Sequence, residues 1–96
     1  GLLEDINNAI NLVVANITGI ICDGAKEGCA LKLGTAAAVA TESALMAIEG
    51  MKVPPDNGII YENAEDTIKA LGEISNSMVQ TDNRIICLMR QKFKDL

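Results

Sequence analysis

A run of small and apolar residues at positions 30 to 40 constrains the fold of this chain more than any other feature. The run reads Ala-Leu-Lys-Leu-Gly-Thr-Ala-Ala-Ala-Val-Ala. A helix built from it is apolar on nearly every side, and such a helix is normally buried. Glycine costs roughly 1 kcal/mol relative to alanine inside a helix, so Gly34 predicts a tight helix contact. We therefore predict a buried central helix from about Gly28 to Ile48.

Two further segments, 2–18 and 64–78, repeat apolar residues at the three- and four-residue steps of an amphipathic helix. Asn63 is a suitable N-cap for the second of them, and Thr81 or Asp82 for a fourth helix. Pro54 and Pro55 predict a loop over residues 50–58, after which Ile59 and Ile60 return to the core. The predicted buried stripes are Leu3, Ile6, Ile10, Val13 and Ile17, then Ile68, Leu71, Ile74 and Met78.

These patterns predict an all-α fold, a compact bundle of about four helices around the Ala-rich central helix. Its 96 residues suffice for one helical domain, residues 1–96. Apolar residues make up 49% of the chain, and its mean hydropathy is +0.23. We therefore expect part of the apolar surface to be covered by another region or subunit, or by a second copy in a homo-oligomer. Since Gly1 is not a natural start, we expect a fragment of a larger protein.

Charge and residue types argue against several partners and reactions. The net charge is −5, and no basic stripe is visible, which argues against nucleic acid. The apolar stretch Ala9–Ile21 is interrupted by polar residues and falls short of the ~20 residues that span a membrane. The chain has no His, so it cannot build a Ser-His-acid triad by itself. Three cysteines and no visible signal peptide favour a reducing cytoplasm.

The cysteines Cys22 and Cys29 flank the loop Cys-Asp-Gly-Ala-Lys-Glu-Gly-Cys. Glycines let such a loop fold back and bring both sulfurs toward one point, as a soft metal centre requires. Two buried thiols, a disulfide, a dithiol switch in a non-enzymatic interaction module and a small zinc site are the alternatives. The third cysteine, Cys87, stands in an apolar helical run and is expected to be a core thiol.

Three residues near this loop are candidates for binding substrate. Asp23 and Lys26 lie inside it, where Lys26 and the N-terminus of the central helix would attract a carboxylate. Thr35 follows within that helix, although a threonine there commonly bonds back to its own backbone. As ordinary residues, Asp23 and Lys26 would be solvated turn residues.

The segment Thr18-Gly-Ile-Ile-Cys22-Asp-Gly-Ala-Lys-Glu-Gly-Cys29-Ala-Leu-Lys-Leu resembles the C-terminal part of the L-cysteine desulfidase family. That family is related to the alpha region of iron–sulfur L-serine dehydratases, which space these cysteines differently. The segment Ser77-Met-Val-Gln-Thr81-Asp82 and the helix after it are also similar to the family's C-terminus. The resemblance covers nearly the whole chain.

The resemblance implies a [4Fe–4S] cluster held by three cysteines, with Cys22 and Cys29 as two of its ligands. It places the third ligand and a catalytic cysteine upstream of Gly1, and it gives Cys87 no role. The implied reaction eliminates sulfide from L-cysteine to give pyruvate and ammonia, with L-serine as the alternative substrate. The chain would then be the C-terminal helical portion of a cytoplasmic lyase, inactive and without its cluster when alone.

Overall fold

The computed structural model describes residues 1–21 and 26–94 of the chain. No β-strand lies in either range, so the predicted all-α class is confirmed. The predicted limits of the first three helices agree with the structure to within about one residue. The helices are α1 (Leu2–Ile17), α2 (Glu27–Ile48), α3 (Ala64–Ser77) and α4 (Val79–Lys94).

The fourth helix begins earlier than predicted. A single residue, Met78, separates α3 from α4: its N–H donates to the carbonyl of Ser75 at 3.1 Å, and its own carbonyl accepts from the N–H of Asp82 at 3.0 Å. Thr81 and Asp82 therefore lie inside the first turn of α4, and the prediction that one of them is the N-cap is wrong. Asp82 still suits this position, because an acidic side chain is favoured near the positive end of the helix dipole.

The Ala-rich helix α2 is largely exposed, which corrects the prediction that it is the buried centre of the bundle. Only Ser43 and Ala47 are buried in it, while the Leu31 and Leu33 side chains are 74% and 73% exposed. Among the described residues α1 is the only helix that packs against α2, so no second helix covers its other faces. A Cβ atom added to Gly34 would meet nothing within 4 Å, so the predicted tight contact is also absent here.

The four helices are strung out rather than gathered around a centre. The chain measures 55 × 24 × 16 Å along its principal axes, and its accessible surface is 7048 Å². A folded protein of 10.1 kDa is expected to expose only about 5,300 Å². The excess is surface that a packed protein of this size would have buried.

The buried core is small and lies where α1, α2, α3 and the segment before α3 meet. Ile60, expected to return to the core, is only 4% exposed. The predicted stripes are wrong at other places, since Leu3 is 83% exposed and Ile68 is 50% exposed. These side chains lie beyond the reach of the few helix contacts that the described chain makes. The buried apolar residues are Leu12, Val14, Ala47, Ile60 and Ala64.

Two asparagines of α1 hold the segment that leads into α3. Asn7 donates from Nδ2 to the Glu62 carbonyl at 2.8 Å and accepts at Oδ1 from the Ala64 N–H at 2.7 Å. Asn11, 3% exposed, donates from Nδ2 to the Tyr61 carbonyl at 2.9 Å. Neither asparagine belongs to the predicted apolar stripe of α1, yet both side chains bind the segment before α3.

The start of α3 adds two bonds of its own to this junction. The Asn63 side chain accepts from the Glu65 N–H at 2.8 Å, which confirms Asn63 as the N-cap. The fully buried Thr67 accepts at Oγ1 from the Tyr61 N–H at 2.9 Å. Polar backbone groups of residues 61–65 are thus paired before the core closes over them, as burial requires.

Within the described residues, α2 is long and apolar enough to cross a membrane, judged by length and composition alone. The sequence argument against a membrane considered only Ala9–Ile21 and overlooked this helix. A single helix of this kind is weak evidence, because the core helix of a soluble protein meets the same criteria. Its exposed apolar surface requires some cover in either case.

Replacing Asn7 by alanine tests the junction between α1 and α3. Asn7→Ala leaves the buried Ala64 N–H without its acceptor, so we expect the free energy of unfolding to fall by about 1–3 kcal/mol. Amide hydrogen exchange at residues 61–67 measures this as the free energy of opening the junction. Asn8→Ala, at the next position of the same helix, gains the same helix propensity and should cost much less. Equal losses in the two variants would contradict the assignment.

Candidate functional site

The half-buried Cys29 lies in the first turn of α2, at the helix's N-terminal end. Lys26 is the N-cap in an extended conformation (φ −107°, ψ −166°), with no side-chain cap. Its carbonyl accepts from the N–H groups of Cys29 at 2.9 Å and Ala30 at 3.2 Å. The predicted start of the helix next to the cysteine loop is therefore confirmed, and it fixes the backbone of Cys29.

This helix end has a positive electrostatic character. The first N–H groups of a helix have no carbonyl partner within it, and the helix dipole places its positive end there. The exposed Lys26 adds a full charge beside them, while Glu27 in the first turn offsets part of it. The arrangement suits a small anion or carboxylate near Cys29.

The other half of the cysteine loop, with Cys22 and Asp23, lies outside the described residues. The structure therefore leaves the meeting of the Cys22 and Cys29 sulfurs a prediction. Within the ranges 1–21 and 26–94, no group of three or more His, Cys, Asp or Glu side chains is arranged to hold a metal ion. A complete ligand set at this place would draw on residues beyond those ranges.

Thr35 is exposed and lies further along α2. Its hydroxyl donates to the Leu31 carbonyl at 3.2 Å, so the expected bond back to its own helix is confirmed. Six residues separate Thr35 from Cys29, which places them about 9 Å apart along the helix axis and about a third of a turn apart around it. The structure does not bring Thr35 beside Cys29.

The third cysteine, Cys87, is exposed on α4. The prediction of a core thiol is wrong, because α4 packs against α3 alone and leaves this side of the helix uncovered. No helix contact connects α4 with α2 in the described chain. Among the described residues, Cys87 therefore stands on a helix that does not contact α2, the helix that contains Cys29.

Two apolar grooves run along the C-terminal half of α1, where the chain leaves toward the cysteine loop. One has a volume of about 380 Å³ and lies between α1, the loop before α3, and α3 itself. The other, about 290 Å³, runs from Val13 to the turn at Gly19 and Ile20. Both share Val14 and Thr18, and their apolar walls suit other side chains better than a zwitterionic amino acid. These grooves were not predicted from the sequence. The adjacent apolar residues Ile59 and Ile60, directly after the loop Pro-Pro-Asp-Asn-Gly, did indicate an apolar segment there.

Known proteins provide independent evidence about this chain. Residues 1–87 match the family of the serine dehydratase alpha chain. A UPF0597 protein of Desulfotalea psychrophila is 42% identical over 95 residues, which cover 98% of this chain and 22% of that protein. A UPF0597 protein of Alkaliphilus oremlandii is 49% identical over 88 residues, covering 91% and 20%. One of Photobacterium profundum is 46% identical over 93 residues, covering 96% and 22%.

The chain thus spans about a fifth of the length of the curated relatives it matches. No solved structure matches it. The family match extends through α1, α2 and α3 and most of α4, and it includes the whole cysteine loop. The chain belongs to the serine dehydratase alpha chain family.

Proposed function

We propose that this chain is the cluster-binding, C-terminal portion of an iron–sulfur lyase that converts L-cysteine to sulfide, pyruvate and ammonia. The observation that carries the proposal is Cys29 in the first turn of α2, inside the family segment, next to the exposed Lys26. The spacing of Cys22 and Cys29 favours L-cysteine, because the dehydratase relatives space these cysteines differently. L-serine is the alternative substrate in the same superfamily.

The residues present fit part of a [4Fe–4S] site. Thiolates are the ligands that these clusters take, and Cys29 and Cys22 supply two of them. Half-burial of Cys29 limits its access to solvent. When bound, the cluster would supply an open iron as Lewis acid for the elimination. The remaining ligand belongs to the rest of the protein.

In this proposal the chain's own residues bind and orient the substrate. Lys26 and the positive N-terminal end of α2 hold the substrate carboxylate beside Cys29. Asp23 is proposed to accept from the substrate amino group, and Thr35 is the outermost candidate in this set. No residue of this chain is assigned as the base that removes the α-proton. The chain alone would therefore be inactive and without its cluster.

The lyase as a whole is proposed to be cytoplasmic, because a reducing compartment preserves thiolates and iron–sulfur clusters. Its remaining region, or another subunit, supplies the missing ligand and the base. Nucleic acid is not part of the proposal, given the net charge of −5 and the absence of a basic stripe. The proposal also includes no membrane.

Replacing each cysteine in turn tests the cluster assignment. In the full-length protein, prepared without oxygen, Cys22→Ala and Cys29→Ala should each abolish the broad visible absorbance of the cluster and the lyase activity. Cys87→Ala should retain both, because Cys87 is exposed on a helix that does not contact α2.

Three results would contradict this assignment. Cluster absorbance and activity that persist in Cys22→Ala would exclude Cys22 as a ligand. Reversible oxidation of Cys22 and Cys29 to a disulfide that alters partner binding, with no cluster, would identify a dithiol switch. Stoichiometric zinc would identify a structural zinc site.

Replacing Lys26 tests the carboxylate site. Lys26→Ala removes a charge-assisted hydrogen bond to the substrate, so we expect KM to rise about tenfold or more while kcat changes less. Steady-state kinetics of the full-length protein measure both constants. Lys52→Ala is the matched control, since Lys52 is an exposed lysine beyond the other end of α2. An unchanged KM in Lys26→Ala would remove this residue from the binding site.

A further inference from the structure

The helix α2 has two distinct faces. The inner face packs on α1 and holds the residues with reduced exposure, among them Cys29, Ala36, Val39, Ser43 and Ala47. On the opposite side, exposed residues follow one another at alternating steps of three and four, and we call them the outer row: Leu31, Gly34, Ala38, Thr41, Leu45 and Ile48. Alternating steps of this kind form a straight seam against another helix.

The side-chain sizes along the outer row suit the packing of a second helix against it. Large side chains stand at its two ends, where Leu31, Leu45 and Ile48 are 74%, 61% and 66% exposed. Its middle, Gly34 to Thr41, holds small side chains. Gly34 meets no neighbour here, although glycine weakens a helix interior. A second helix crossing over Gly34 would gain the close approach that only glycine permits, which explains why glycine stands there.

The charges beside the outer row indicate which charges the edges of a partner helix would carry. Glu42 and Glu49, both exposed, follow one side of the row at a spacing of seven residues, and Glu27 stands at its beginning. A helix with Lys or Arg at its edges would complement them, as in paired helices with charged flanking positions. Two copies of this chain would instead bring two acidic edges and two net charges of −5 together.

The length of the family proteins indicates what could cover the outer row. The relatives extend over about five times the segment that matches this chain, so about four-fifths of each lies outside it. We propose that the outer row of α2 binds an amphipathic helix with basic edges from that other part of the family protein. The exposed Ala-rich helix of this chain would then be buried in the assembled protein. This inference rests on the family membership and is independent of the cluster chemistry.

A binding experiment with a matched pair of alanines tests the proposal. The chain of 96 residues is mixed with the remaining part of the Desulfotalea psychrophila relative, expressed separately, and binding is followed by sedimentation and by amide hydrogen exchange of α2. We expect a one-to-one complex that protects α2. Ala38→Glu places a charge in the outer row and should weaken binding about tenfold or more. Glu42→Lys should weaken it as well.

Ala44→Glu is the control, because Ala44 is an exposed alanine of the same helix about a third of a turn away from Ala38. It should bind as the parent chain does, and all variants should keep the parent's helix content by circular dichroism. Absence of a complex between the parent chain and the folded remaining part would overturn the proposal, and so would equal binding by Ala38→Glu and the parent. So would a dimer of the chain alone that Ala38→Glu dissociates, or insertion of α2 into phosphatidylcholine vesicles. Loss of the cluster in the cysteine variants would leave the proposal unaffected.

Discussion

The paired hydrogen bonds of Asn7 are the interaction on which the placement of α3 and α4 relative to α1 depends. Through one side chain, α1 fixes both the carbonyl of Glu62 and the N–H of Ala64, and Asn11 adds the carbonyl of Tyr61. These bonds set where α3 begins, and α4 follows from α3 after one residue. The helix α2 also packs on α1 alone. The positions of the other three helices are therefore defined relative to α1.

The helices were predictable because local signals end and start them. Asn63 caps α3 as its side chain suggests, and Gly19 adopts the positive φ of 95° that a turn after α1 requires. Burial was less predictable, because it depends on which surfaces meet. Asn11 seemed a polar interruption, yet it is buried and bonded to a loop 50 residues away. Residues 30–40 have the composition of a core helix, but α1 covers only one side of it.

At the candidate site, too, local structure was predictable and burial was not. The start of α2 beside Cys29 and the backbone bond of Thr35 follow from local rules, and both were predicted. The exposure of Cys87 was missed, because an apolar run predicts burial only where another surface packs against it. The sequence contains both halves of the cysteine loop, whereas the structure describes only the half that ends at Cys29. Family membership shows that this segment matches part of longer proteins, which neither the cysteine spacing nor the helix geometry could show.

The helices contact one another in a line, from α2 to α1 to α3 to α4. In a closed bundle, each helix is restrained by at least two neighbours, and loss of one contact leaves the others in place. In a line, every junction is the single support of what lies beyond it. Heat or denaturant would release such a chain piece by piece from its ends, with α4 first, rather than in one cooperative step.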